Sequence, residues 1–241
     1  MTKIKTLALG AASALGVIAI GASAQAATMF TANIVTEQSA TPEIGEDVSA
    51  SATLTLTETT PGAYTLSMEV SFSDGFDWTG VIGDGAGQVG TDAVTGDVAS
   101  DGFDLTRFHI HNAPRGVGGP VVFGLFDVVA PPAVSDEDGD TSVAFADDGS
   151  AVLTSEWDMT EGTADGVLAD FVAELLAATT GQDVALYFNL HSTEAAPGLI
   201  RGQLVGANDI GADAVPVPAA AFLFAPVVLG GLAARRRKAR A

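Results

Sequence analysis

The chain has 241 residues, with 30 acidic side chains, 10 basic ones and no cysteine. Lys3 and Lys5 at one end and Arg235, Arg236, Arg237, Lys238 and Arg240 at the other leave only Arg107, Arg115 and Arg201 between them, against every acid, a charge of 3 − 30 = −27. Such a body excludes nucleic-acid binding, which needs clustered Lys and Arg, and suits a solvated surface in salt or one that gathers divalent cations.

Residues 1–27 read as a secretory signal peptide: Lys3 and Lys5 lead, Leu7 to Ala22 is apolar and small, and Ala24-Gln25-Ala26 followed by Ala27 offers the A-x-A cleavage pattern. The alternative is an uncleaved N-terminal anchor. An exported chain without cysteine gains no disulfides and is held by its core alone. From Thr28 the residues alternate in the manner of half-buried strands, through Ser51 to Thr57 and again through Tyr64 to Phe72, with Thr60-Pro61-Gly62 as a hairpin turn. Trp78 to Ile82 reads as a further short strand. Gly83 to Gly102 reads as a surface loop, rich in Gly and Asp.

Leu105 to His111 and Pro120 to Phe126 are the expected central strands, joined by a glycine-rich turn. An acidic loop at 135–141 and a strand at Ala151 to Trp157 follow. Leu168, Phe171, Val172 and Leu175 then recur at helical spacing, with Asp165 as cap and Gly181 past the end. Two more strands, Val184 to Leu190 and Leu199 to Leu204, close a body spanning residues 28–206, and 207–214 form a linker. Many short strands, glycine turns and one short helix predict a mostly β protein, an antiparallel β-sandwich of the immunoglobulin or superoxide-dismutase kind, with Trp78, Trp157 and Phe171 in its core.

At the C-terminus Val215-Pro216-Val217-Pro218 precedes an apolar run from Ala221 to Ala234 and then the arginine cluster. The run is about as long as the shortest membrane-spanning helices, and its basic end would stay cytoplasmic. Residues 215–241 resemble the VPLPA-type sorting signals of the PEP-CTERM class in Gram-negative bacteria, departing at Val217, where Leu is usual. The resemblance implies transient anchoring in the inner membrane, an exosortase-like sorting protease as partner, and a mature protein at the cell surface or outside the cell. An ordinary tail anchor is the other reading.

His109-Ile110-His111-Asn112-Ala113-Pro114, the following Gly119-Pro120-Val121-Val122-Phe123, and Tyr187-Phe188-Asn189-Leu190-His191-Ser192 with Pro197-Gly198-Leu199-Ile200-Arg201-Gly202-Gln203-Leu204 resemble the CHRD domain, named for chordin and widespread in exported bacterial proteins. Asn112 stands for the usual Gly, Ser192 for Thr and Leu199 for Glu. The resemblance implies an extracellular β-sandwich with no enzymatic activity established for the family as a whole. His-Ile-His is also similar to the copper-binding strand of Cu/Zn superoxide dismutases, but the chain lacks their cysteine pair and further histidines, so dismutase activity is not inferred.

The three histidines are the candidate metal ligands. His109 and His111 share one face of a strand, and His191 supplies a third imidazole from another, a donor set for zinc or copper. That role requires their ring nitrogens within ~4 Å of one another, around a point where ~2 Å bonds form. The competing reading has the histidines bonded to backbone and to Arg201, fixing loop geometry. Asp136, Asp138 and Asp140 alternate as in a calcium loop, with Asp147 at the twelfth position. Thr141 occupies the position where an EF-hand needs glycine, so only a looser calcium site remains. Arg201, Gly202 and Gln203 read as structural, Arg201 pairing with a carboxylate or with backbone carbonyls.

No nucleophile–base constellation or phosphate loop stands out. The expected function is therefore a non-enzymatic surface protein with a structural, adhesion or matrix role. The alternatives are an extracytoplasmic transition-metal-binding protein and, behind it, a redox enzyme built on that metal.

Overall fold

The computed structural model describes residues 27–39, 44, 48–82, 93–95, 99–128 and 140–207. In chain order the strands are β1 (Ala27–Ile34), β2 (Ala50–Thr60), β3 (Ala63–Phe72) and β4 (Phe76–Asp77), followed by the single-turn helix α1 (Thr79–Ile82). Then come β5 (Ala93–Thr95), β6 (Phe103–Asn112), β7 (Val121–Asp127), β8 (Ser142–Phe145), β9 (Ala151–Asp158), β10 (Gly162–Thr163) and β11 (Gly166–Val167). Helix α2 (Leu168–Ala177), β12 (Asp183–Ser192) and β13 (Ile200–Gly206) complete the fold.

Eleven strands form one curled sheet in the order β4-β6-β12-β13-β1-β2-β3-β9-β8-β5, with β7 also on β6. The expected sandwich of two separate sheets is therefore corrected. Strand β1 pairs along its whole length with β2 and also, through Phe30↔Gly206 and Thr31↔Val205, with β13, so the two halves never part. The β1–β13 ladder is short, and the halves curl about it until they face each other. Phe72 on β3 meets Phe108 on β6 edge-on at 5.5 Å, and Trp157 on β9 stacks on Phe123 of β7 at 5.0 Å. The sheet is antiparallel except at β4–β6 and β5–β8, which pair in parallel.

Period-2 alternation decides what enters this core. Ala50, Ala52, Leu54 and Leu56 of β2 and Leu66, Met68, Val70 and Phe72 of β3 are buried, while most of their neighbours face solvent. Helix α2 seats Leu168, Phe171, Val172 and Leu175 as the spacing predicts. Its first turn is capped by Asp170, which accepts from the Val167 N–H at 3.1 Å, and not by Asp165, whose own N–H donates to Thr163 Oγ1. The stretch after Trp78 is helix α1 rather than a strand, because Asp77 Oδ1 accepts from both the N–H and the hydroxyl of Thr79 and starts a helical turn. The Gly/Asp-rich stretch, expected as a loop, contributes β5, and β8 is a further strand that no pattern in the sequence marks.

Candidate metal centre

Strands β6 and β12 run antiparallel with His109 opposite Asn189, His111 opposite Tyr187 and Arg107 opposite His191. Alternation sends Phe108, Ile110, Phe188 and Leu190 into the core and leaves Arg107, His109, His111, Tyr187, Asn189 and His191 on the other face. Strand β13 extends that polar face with Arg201 opposite Asn189 and Gln203 opposite Tyr187. A sheet's second face commonly meets water. Here it is buried: His109 is 3% exposed, His111 8% and His191 7%.

Two loops, residues 113–120 and 193–199, are fastened over the face by their carbonyl groups. His111 Nδ1 donates to Gly119 O at 2.9 Å and His191 Nδ1 to Ala196 O at 2.8 Å. Gln203 Nε2 donates to Ala113 O at 3.1 Å, and Arg201 Nη2 to Pro114 O at 3.2 Å. Gly198 allows the second loop to close: its φ is +139°, and a Cβ there would run into Asn189 Oδ1.

These bonds set the protons on the rings. A carbonyl only accepts, so Nδ1 of His111 and of His191 carries the hydrogen, and in a neutral ring Nε2 is left with its lone pair. His191 Nε2 receives a hydrogen bond from Asn189 Nδ2 at 3.1 Å. His111 Nε2 is buried without a partner, whereas His109 Nε2, which makes no hydrogen bond, lies at ion-pair distance, 3.5 Å, from Asp127 Oδ2. Asp127 is itself held by Arg107 Nε at 3.1 Å. Burial, reinforced by the other two imidazoles, pushes the His109 pKa down to about 3, against a smaller upward pull from Asp127. Burial likewise pushes His111 down to about 4, opposed by its bond to Gly119. His191 is lowered by burial too. All three rings are neutral near pH 7, the form that ligates metal.

One nitrogen from each ring lies within 4.8 Å of the other two, and the ring centroids are 5.6 to 6.1 Å apart. Three nitrogens at tetrahedral Zn–N distances stand about 3.3 Å apart, so binding draws the rings inward by roughly 1 Å. The donor set fits: neutral imidazoles, two of them oriented by backbone carbonyls in the manner of outer-shell partners, with an orphaned lone pair on His111 that a cation would satisfy. The sequence expectation of ~4 Å is somewhat tighter than the arrangement found.

The expected bond from the histidines to Arg201 does not form. Arg201 Cζ stands 3.4 Å over the Tyr187 ring, and Tyr187 stacks on His111 at 5.0 Å. Gly202 lies on the opposite face, where a Cβ would run into Ile34 and Asn33 of β1, while Gln203 Nε2 also reaches Val184 O and Leu186 O. Asp140 Oδ1 accepts from the Glu156 N–H at 3.0 Å, and β8 separates it from Asp147. Asp136 and Asp138 lie outside the described residues. So do Ala26, Val215, Pro216, Val217, Pro218 and the apolar run after them, whereas Ala27 opens β1 opposite Thr57. Among the described residues no helix is long and apolar enough to cross a membrane.

Asp127, Asn189 and Tyr187 were not singled out from the sequence. Tyr187, Asn189 and His191 recur at period 2, and that alternation alone puts them on the histidine face. Asp127 carries no comparable signal.

No curated protein and no solved structure was found to match the chain. The CHRD domain matches residues 27–204, from the first strand to within two residues of the end of the last. On that match, which takes in every strand of the curled sheet, the last one to within two residues of its end, and all three histidines, the chain belongs to the CHRD domain family.

Proposed function

We propose that this CHRD-domain protein binds one transition-metal ion, zinc or copper, through His109, His111 and His191, and that it works outside the cytoplasm without catalysing a reaction. The observation that carries this reading is the buried Nε2 of His111, left as an unpartnered lone pair by its Nδ1 bond to Gly119, beside two further neutral imidazoles. A buried acceptor without a partner costs about 1–3 kcal/mol, and a metal held by all three rings removes that cost. The other members of the face have supporting roles: Arg107 and Asp127 flank His109, and the Gly119 and Ala196 carbonyls fix the ring orientations of His111 and His191. Export rests on the signal-like segment 1–27, and surface sorting on residues 215–241 with an exosortase-like protease.

The test is metal content of the purified protein with and without His109→Ala. Of the three rings only His109 makes no bond to the covering loops, so its removal separates ligation from loop fastening. One equivalent of zinc or copper in the wild type, lost in the variant, is the expected result. A wild type without bound metal after incubation with either ion overturns the reading.

A second reading is favoured by the carbonyl bonds of His111 and His191: the histidines fasten loops on a structural, adhesive or matrix protein. It predicts that His111→Ala and His191→Ala lower stability while metal has no effect on either protein. For processing, blots of membrane and shed fractions with tags at each end are the measurement. Loss of the C-terminal tag from surface protein is expected, and its retention there counts against cleavage.

A further inference from the structure

We infer that the cleft beside Arg201 is a binding site for a small oxyanion, a carboxylate or an inorganic sulfate- or phosphate-type group. The cleft has a volume of about 410 Å³, and its lining includes Gln38, Arg115, Tyr187, Asn189 and Arg201. Two of the three arginines between residues 28 and 214 therefore meet at one place in a body of charge −27.

The two arginines are in different states. Arg115 is satisfied, with Nε and Nη2 donating to the two oxygens of Asp183 at 2.7 and 2.8 Å and Nη1 to Gln38 Oε1 at 2.6 Å. Arg201 is 8% exposed and, among the described residues, forms no salt bridge. Its Nη2 reaches Pro114 O and, at 3.5 Å, Gln203 Oε1, and its Nε is buried with no acceptor at all. A buried cation without a counter-ion is costly, and this chain has 30 carboxylates from which one could have been placed. The guanidinium is also held ready. Its central carbon lies 3.4 Å over the Tyr187 ring, Tyr187 stacks on His111, and the Tyr187 hydroxyl accepts from the Gly119 N–H. A fixed, planar fork with an unmet donor is the group that recognises a two-oxygen anion. The rim is open as well, since a Cβ added at Gly116 or Gly118 would meet nothing within 4 Å.

Full-length isotope-labelled protein is titrated with sodium succinate, sodium sulfate and sodium phosphate, each against sodium chloride at equal ionic strength, while the Arg201 Nε–H signal is followed by NMR. At least one of the three is expected to shift that signal saturably, and Arg201→Lys, which keeps the charge but loses the fork, is expected to weaken binding by ~10-fold or more. A stronger response to succinate assigns the carboxylate class, and a stronger response to sulfate or phosphate the inorganic one. An Arg201 signal that moves with none of them, or only drifts as it does in chloride, overturns the inference. If Arg201→Lys does not fold, the wild-type titration decides, with the signal assigned through its contact with the Tyr187 ring. His109→Ala is expected to keep the anion response whatever its metal content, so the two sites stand or fall separately.

Discussion

At the scale of single residues, the centre depends on imidazoles kept neutral by burial. Above pH ~6.5 neither the folded nor the unfolded chain protonates these rings, and they add nothing to the pH dependence of stability. Below it the unfolded chain takes up protons that folded His111 does not accept until about pH 4 and folded His109 until about pH 3. The unfolded state then binds more protons, so stability of the metal-free protein falls as pH drops through that window. The charged neighbours do not reverse this, because Asp127 raises the His109 pKa while Arg107 lowers it, and Arg201 lowers that of His111. Each ring contributes a slope of up to ~1.4 kcal/mol per pH unit. His111→Gln is therefore expected to flatten the stability curve by about that amount between pH 6 and 4, read from urea midpoints of the metal-free proteins. Parallel curves for the variant and the wild type would mean that His111 titrates as an ordinary exposed histidine.

At the scale of elements, β6 and β12 each carry two roles on alternate residues, and this sets how far the sequence could be read. The His-x-His spacing gave the shared face directly, and the late Tyr-x-Asn-x-His run extends it by the same arithmetic. Burial of that face was not legible, because it comes from loops 113–120 and 193–199, whose closure depends on backbone carbonyls and carries no side-chain pattern. Helix α2 was legible because four apolar residues fall on one stripe, whereas its cap was misplaced at Asp165, since the capping bond comes from Asp170 inside the first turn. The loops should thus be as important to the centre as its ligands. Gly198→Ala puts a side chain at a φ of +139° and against Asn189 Oδ1, next to the Asn189–His191 contact. It is expected to cost roughly 1–3 kcal/mol in stability and to weaken metal binding. Gly118→Ala, in open space on the other loop, is expected to stay within ~0.5 kcal/mol of the wild type. Equal metal affinity in Gly198→Ala and wild type would show that the second loop does not orient His191.

At the scale of the molecule, a single curled sheet must hold together under a charge of 3 − 30 = −27 between residues 28 and 214, with no disulfide to help. The strands alternate well enough that a mostly β body was legible. Two sheets were expected where there is one, because nothing in the sequence marks β1 as a strand that pairs on both edges. That junction is the narrow place, with two registered pairs and the bridge Val35↔Arg201. Self-repulsion acts across the whole body, while the exposed Arg115–Asp183 pair, both side chains more than two-fifths exposed, contributes at most ~1 kcal/mol in the opposite sense. Repulsion should win, and salt should relieve it as the Debye length shrinks from about 30 Å at 0.01 M to about 3 Å at 1 M. The denaturation midpoint is therefore expected to rise with sodium chloride over that range, and a flat or falling curve would mean that repulsion among the carboxylates does not limit stability. Calcium chloride at matched ionic strength adds a sharper comparison. Screening alone gives coincident curves, whereas an ion held by specific oxygens stabilises further as its concentration passes its dissociation constant. An excess that disappears in Asp138→Asn would assign it to the 135–141 loop and its ligands Asp136, Asp138 and Asp140, and coincident curves would leave those acids as solvated charge.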